Sequence, residues 1–325
     1  MKEFISCDWG SSCLRVRMVD RDRLQWKIVE ANDKGVAEVF SLWKEEEAKG
    51  KGSGPSRFDF YLRILKEQIE IVRKKTGGVV ENLPVVISGM ACSSIGMLEV
   101  DYKRIPFSCE GDDLVIKRIE ASKDGFSEII IISGARSDTD VMRGEETQVI
   151  GCYHGETEKR TYIFPGTHSK HVLVNKGKVI DIRTYMTGEF FSVLSERSML
   201  SHSVQKGIGF ANENDKKAFE AGLKESKQAG LLHSAFMVRT NHLFERFNRE
   251  ENYYFLSGLL IGSELGSLAG REAGKISLVA SGELKKLYVE ALKGLGVIEG
   301  EKELGLEDAD GALVKGQLKV LERLK

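Results

Sequence analysis

Nothing in this chain of 325 residues approaches the unbroken apolar length of a secretory leader core or a membrane span. The start, Met1-Lys2-Glu3-Phe4-Ile5-Ser6-Cys7-Asp8, meets an acid almost at once, and a cytoplasmic protein is expected. Charge of one sign is missing too. With 48 basic residues against 49 acidic ones, no global field recruits nucleic acid or an anionic membrane, so any anion site must be local. The cysteines Cys7, Cys13, Cys92, Cys109 and Cys152 are odd in number and have neither a CxxC pair nor metal-ligand spacing, which fits a reduced compartment. No GxxxxGK[ST] occurs, so a P-loop is unsupported. Gly207-Ile208-Gly209-Phe210 and the glycines at 50–54 do not follow a buried strand and open a helix, so the Rossmann fingerprint fails as well. The absence of short repeats and heptads excludes solenoids and coiled coils.

What is present is a globular composition, 41% hydrophobic and 30% charged, long enough for two domains of roughly 150 residues each. Residues 4–7, 13–19 and 24–29 read as a strand meander, followed by a loop at 49–56 and a helix at 58–75 with apolar residues at helical spacing. The apolar runs 83–87 and 129–132 predict strands buried on both faces, each ending in Ser-Gly. Residues 140–152 are expected to be helical. A second meander then occupies 161–164, 170–174 and 178–185, with turns at Pro165-Gly166 and Asn175-Lys176-Gly177. Helices are expected through Ala269, and a strand, turn and helix at 276–295. The boundary is placed near residue 155, giving domains 1–155 and 156–325.

The echo of one meander by the other is the informative pattern. At Asp8-Trp9-Gly10-Ser11-Ser12 a glycine would let backbone N–H groups approach an anion, the serine hydroxyls add donors, and Asp8 could hold Mg²⁺. Pro165-Gly166-Thr167-His168-Ser169 offers the same chemistry, with His168 as a further phosphate-side donor. Taken singly, each is more often an ordinary hairpin turn. Their joint position at two domain starts suggests a phosphate clamp. Between them, Asp140-Val141-Met142-Arg143-Gly144-Glu145-Glu146 places acids at a helix start, where one carboxylate could accept the proton of an attacking hydroxyl. Capping acids on a solvated helix would look the same. Gly282 follows the apolar run 276–280, at a strand-to-helix turn of the kind that favours ligands. His168 and His171 suggest no metal pair, because residues three apart on a strand face opposite ways. The charge runs at 44–47 and 156–160 are expected at the surface, and Trp26, Trp43, Phe236, Phe244 and Phe247 in the core or an interface.

The blocks Cys7-Asp8-Trp9-Gly10-Ser11-Ser12-Cys13-Leu14-Arg15, Asp140-Val141-Met142-Arg143-Gly144-Glu145-Glu146-Thr147-Gln148, Phe164-Pro165-Gly166-Thr167-His168-Ser169-Lys170, Met186-Thr187-Gly188-Glu189 and Ser257-Gly258-Leu259-Leu260-Ile261-Gly262 stand in one order. In these the chain resembles the 2-dehydro-3-deoxygalactonokinase family, within the sugar kinase, heat-shock chaperone and actin superfamily. The resemblance implies an α/β fold of two ribonuclease-H-like domains with an interdomain cleft for ATP. It implies transfer of the γ-phosphate to the terminal 6-hydroxyl of a 2-keto-3-deoxy sugar acid, foremost 2-dehydro-3-deoxy-D-galactonate. Asp8 would be the magnesium-side carboxylate; Gly10, Ser11, Ser12, Gly166 and Thr167 would cradle phosphates; Gly282 would lie against the adenosine. Glu145 or Glu146 would be the base, with Asp140 as a third candidate, since relatives carry aspartate after the glycine. The family's substrate loop commonly reads Gly-Met-Ile-Gly-Ser-Arg-Gln-Gly-Trp, whereas this chain has Gly89-Met90-Ala91-Cys92-Ser93-Ser94-Ile95-Gly96-Met97. Ser93 and Ser94 are the substrate candidates there, and Arg136, Arg143 or Arg104 would supply the missing positive charge for a substrate carboxylate. An actin-like or chaperone-like ATPase acting on a protein partner is the alternative. A homodimer is allowed; nucleic acid and membrane partners are not expected.

Overall fold

Three antiparallel strands, β1 (Glu3–Trp9), β2 (Leu14–Asp20) and β3 (Gln25–Asn32), open the chain. The computed structural model describes residues 2–50, 54–77, 82–120, 126–207, 209–210, 212–268 and 273–324. Lys51, Gly52 and Ser53 of the glycine-serine loop, Ile208 and Ala269 lie outside them. Helices α1 (Val36–Lys49) and α2 (Arg57–Thr76) follow. Helix α2 starts where the Ser56 side chain accepts from the Asp59 N–H and stops at Gly77 in the left-handed region. It buries Tyr61, Leu65, Ile69 and Val72 in the first core. Next come β4 (Val85–Gly89), β5 (Lys103–Arg104), β6 (Phe107–Ser108), β7 (Ile116–Glu120), β8 (Glu128–Ile132), β9 (Ala135–Arg136), β10 (Val141–Met142) and α3 (Glu145–Cys152). The order of the first sheet is β3-β2-β1-β4-β8-β7, with β1, β4 and β8 parallel. This explains why β4 and most of β8 are buried on both faces and carry the continuous apolar runs.

The second run contains β11 (Arg160–Phe164), β12 (Ser169–Asn175), β13 (Lys178–Tyr185), α4 (Thr187–Ser192), α5 (Glu213–Glu225), α6 (Leu231–Leu243) and α7 (Arg249–Leu265). It continues with β14 (Lys275–Val279), α8 (Gly282–Gly294) and β15 (Leu304–Glu307), and the chain closes on α9 (Ala309–Arg323). The pairing β12-β11-β14-β15 is antiparallel and then twice parallel, the same pattern as β2-β1-β4-β8 in the first sheet. The expected fold class is therefore the one found: a mixed α/β chain in which, among the described residues, two six-stranded sheets each contain a meander and extend through parallel strands.

Two units are distinguished, one of residues Met1–Glu156, Gly177–Ile182 and Asp310–Lys325, the other of Thr157–Lys176 and Arg183–Ala309. In the first unit α9 lies against α3 so closely that a Cβ on Gly316 would stand 1.8 Å from the Thr147 carbonyl oxygen, and one on Gly151 equally near that of Ala312. In the second unit α5 and α7 cross in the same way at Gly222 and Gly258, which gives the glycine of the Ser257-Gly258 block a packing role. Around that crossing Phe219, Leu223, Phe255, Leu256 and Leu259 form the second core.

One expectation is corrected, and three elements were not among those expected. Residues 140–144 are not helical: Val141 and Met142 pair with β9, and α3 starts only at Glu145. The charge run at 44–47 lies on an unpredicted helix, α1, whose apolar stripe is short. Strand β15 and helix α9 were not foreseen. Phe247 packs on Phe255 at 5.9 Å, and Phe236 and Phe244 are exposed, which of the two expected places leaves an interface. Among the described residues no helix is long and apolar enough to cross a membrane. All five cysteines are free.

Candidate active site

The first turn is fixed by a helix start. The N–H groups of Val36 and Ala37, which open α1, donate to the carbonyls of Gly10 (2.9 Å) and Ser11 (3.2 Å). A Cβ on Gly35 would stand 2.2 Å from the Ser11 oxygen, so only glycine permits this approach. Asp8, at the end of β1, has a side chain about one-fifth exposed, with Oδ2 held by Arg15 at 3.0 Å. Burial pushes its carboxyl above the ordinary range, and the guanidinium groups of Arg15 and Arg17 oppose that. Arg17 is itself buried and paired with Asp310, the second residue of α9.

Beside Asp8 the unit assembles its acids. A Cβ on Gly89 would lie 3.6 Å from Asp8 Oδ1, and one on Gly144 3.5 Å from Gly89 Cα. The end of β1, the start of the loop at 89–97 and the start of α3 therefore meet. There Glu145 and Glu146 diverge. Glu145 is half-buried and accepts the Arg143 N–H at 3.0 Å. Glu146 is fully buried, with both oxygens accepting the Gly144 N–H at 2.9 and 2.8 Å and Oε1 accepting the Thr147 hydroxyl at 3.1 Å. Burial, reinforced by the charge of Glu145, pushes its carboxyl up to about 8. Asp140 is half-buried before the short strand β10 and accepts the Val141 N–H.

The residues suggested for the sugar end are only partly gathered. Ser93 is buried after a short turn at Met90–Cys92, and Ser94 is exposed with its carbonyl held by Arg57. The Arg143 guanidinium lies over the Tyr102 ring, 4.3 Å from its centroid, and acts on the Cys92 thiol of the same loop. Arg136 sits in register with Arg104 on the strand pair β5-β9, and Arg104 is committed to Asp138 at 2.7 Å. Two arginines thus bear on the loop, Arg57 through the Ser94 carbonyl and Arg143 through its charge beside Cys92. Tyr102, its platform, was missed because a lone tyrosine carries no sequence signal.

In the second unit the turn between β11 and β12 is built in the same manner. A Cβ on Gly188 would stand 2.5 Å from the Gly166 carbonyl oxygen, and the Glu189 N–H of α4 donates to the Thr167 carbonyl at 3.0 Å. His168 is exposed, with Nε2 2.5 Å from the Glu189 carboxylate. Gly282 opens α8 with a φ of 64°, which glycine adopts readily. It borders a cavity of about 460 Å³ lined also by Phe210, Lys216, Lys285, Lys286 and Leu306, an aromatic face among cations. Helix starts clasping both turns, through Gly35 and Gly188, were not foreseen. The signal that could have found them is a glycine at a helix start, 24 residues after Ser11 in one unit and 22 after Gly166 in the other.

A magnesium ion needs hard oxygen donors, and where phosphates and water supply most of them one or two carboxylates suffice. Asp8 meets that requirement. Among the described residues no group of three or more His, Cys, Asp or Glu side chains could hold a metal by itself.

Against known proteins, residues 8–317 match the family model for 2-keto-3-deoxy-galactonokinase. The chain is 32% identical over 304 residues to the 2-dehydro-3-deoxygalactonokinase of Escherichia coli (strain K12), covering 90% of each. A crystal structure of a Sinorhizobium meliloti protein proposed to be a 2-dehydro-3-deoxygalactonokinase superposes with a TM-score of 0.78 over 99% of both chains, at 27% identity.

Proposed function

The chain belongs to the 2-keto-3-deoxy-galactonokinase family, and on that premise we propose that it phosphorylates the 6-hydroxyl of 2-dehydro-3-deoxy-D-galactonate. It is an ATP-dependent sugar-acid kinase. The observation that carries the finer reading is the repeated turn. Gly10-Ser11-Ser12 in one unit and Gly166-Thr167-His168 in the other are each tied to a helix start by a glycine contact. These are the proposed phosphate-binding groups, and the cavity beside Gly282 is the proposed adenosine site.

Of the two acids at the start of α3, Glu145 is assigned as the base. Glu146 is spent on the Gly144 N–H and sealed from solvent, whereas Glu145 is half-exposed. As the sugar hydroxyl oxygen bonds to the γ-phosphorus, its proton passes to the Glu145 carboxylate, and the bond to the bridging oxygen of ADP breaks. Asp8 would hold Mg²⁺, which supplies neutralising charge to the phosphates. Arg143, steadied on Tyr102, is the proposed partner of the substrate carboxylate, and Ser93 and Ser94 line its loop.

The test is ADP release by the purified chain with ATP, Mg²⁺ and a panel of 2-keto-3-deoxy sugar acids that includes both C4 epimers. Turnover is expected to rise well above the basal rate with 2-dehydro-3-deoxy-D-galactonate. The product's phosphorus should couple to the protons of a terminal CH₂ group in its NMR spectrum. Basal turnover with every acid would overturn the reading in favour of an ATPase serving another partner.

A further inference from the structure

Behind the second turn lies a buried polar network that this mechanism does not use. Glu264 of α7 is 3% exposed, a costly place for a carboxylate. Its Oε2 accepts two hydroxyl protons, from Thr187 at 2.5 Å and Tyr288 at 2.7 Å, and Oε1 lies 2.9 Å from His171 Nε2. Tyr288 has one proton, and it goes to Glu264. Ser169, 2.9 Å from the Tyr288 oxygen, must therefore be the donor in that pair. The Ser169 oxygen in turn accepts the Gly166 N–H at 3.3 Å. One arm of the network thus runs from Glu264 through Tyr288 and Ser169 to the first residue of the turn. The other runs through Thr187, which opens α4, to Gly188 against Gly166 and to Glu189, which holds Thr167 and His168.

Packing alone does not account for this arrangement. A buried carboxylate and imidazole add little stability over apolar residues of similar volume, and His171 Nδ1 has no partner among the described residues. What the carboxylate achieves is to bind both supports of the turn at one oxygen.

We infer that Glu264 is a positioning residue for phosphoryl transfer, setting Gly166, Thr167 and His168 through the Tyr288–Ser169 and Thr187–Gly188 arms. This rests on the proposed role of that turn in holding ATP phosphates. Two substitutions break the first arm and leave Gly166, Thr167 and His168 themselves in place: Tyr288→Phe, and Ser169→Ala at the residue that follows them. ATP affinity is measured by calorimetry without sugar acid, together with KM for ATP, KM for the sugar acid, kcat and Tm. Each variant is expected to weaken ATP binding about 5- to 10-fold, the worth of one lost hydrogen bond, with the sugar-acid KM unchanged. The double variant should be no weaker than either single one, since both cut the same arm. Glu264→Gln, which cannot accept from His171, Thr187 and Tyr288 on the same terms, should weaken ATP binding at least as much.

ATP affinity within twofold of wild type in folded variants overturns the inference, whatever happens to Tm. So does a parallel rise in both KM values, which would mark a merely structural role. Should Tyr288→Phe not fold, Ser169→Ala, which removes a single oxygen, gives the same reading. A wild-type protein that binds ATP but turns over no sugar acid would remove the proposed reaction and leave the calorimetric test intact.

Discussion

Replacing Glu146 by glutamine should change how stability depends on pH, in a direction the structure dictates. In the unfolded chain this carboxyl titrates at its ordinary 4.5; in the folded protein burial raises it to about 8. Between those values the native state keeps a proton that the unfolded state has released, so the contribution is full below 4.5 and is lost as pH rises through about 8. At about 1.4 kcal/mol per pH unit the whole window is worth about 5 kcal/mol. The stretch from pH 5.5 to 8 accounts for about 3 kcal/mol of that. Glutamine keeps the side chain's shape and an acceptor for the Gly144 N–H but does not titrate. Denaturant unfolding of both proteins across this range should show wild type losing about 3 kcal/mol relative to Glu146→Gln as pH rises. Parallel pH profiles would refute the reasoning, because they would mean that Glu146 titrates alike in both states.

Glu145→Gln should slow transfer on the order of 10²-fold or more with ATP affinity kept, read in a single-turnover experiment; an unaltered rate would move the base elsewhere. Asp8→Asn should raise the Mg²⁺ concentration needed for half-maximal activity, and near-normal kcat/KM at limiting Mg²⁺ would sink its metal role. Gly188→Ala forces a methyl to within 2.5 Å of the Gly166 carbonyl oxygen, so KM for ATP should rise on the order of 10-fold while the fold survives by circular dichroism. Gly316→Ala pushes α9 from α3 and should cost about 1–3 kcal/mol or more in unfolding free energy without a specific change in KM; an unchanged Tm would show that the crossing relaxes freely.

Periodicity and turn chemistry act over a few residues, and what they control was legible before any coordinates. Both meanders, the buried strands β4 and β8, helix α2 and the strand-to-helix turn at Gly282 follow from apolar spacing and its punctuation. So does the placing of acids at a helix start. The same reading missed α1 and α9. In α1 the buried residues are Val36 and Val39, both ahead of the charge run, and in α9 Gly316 serves a helix crossing that no local pattern announces.

The chain sequence by itself determined the ingredients: two glycine-hydroxyl turns, an acid pair after Gly144, and the order of blocks that marks the family. Only the tertiary structure decided which acid is sealed and which is accessible, which arginines bear on the loop at 89–97, and what holds each turn in place. The reason is range. Glu145 and Glu146 are neighbours in sequence and differ solely in what packs over them. Ser169 and Tyr288 are hydrogen-bonded across a separation of 119 positions in sequence, and Tyr288 and Glu264 across 24. No local pattern reports a contact of that kind, because its partners are brought together only when β12, α7 and α8 pack.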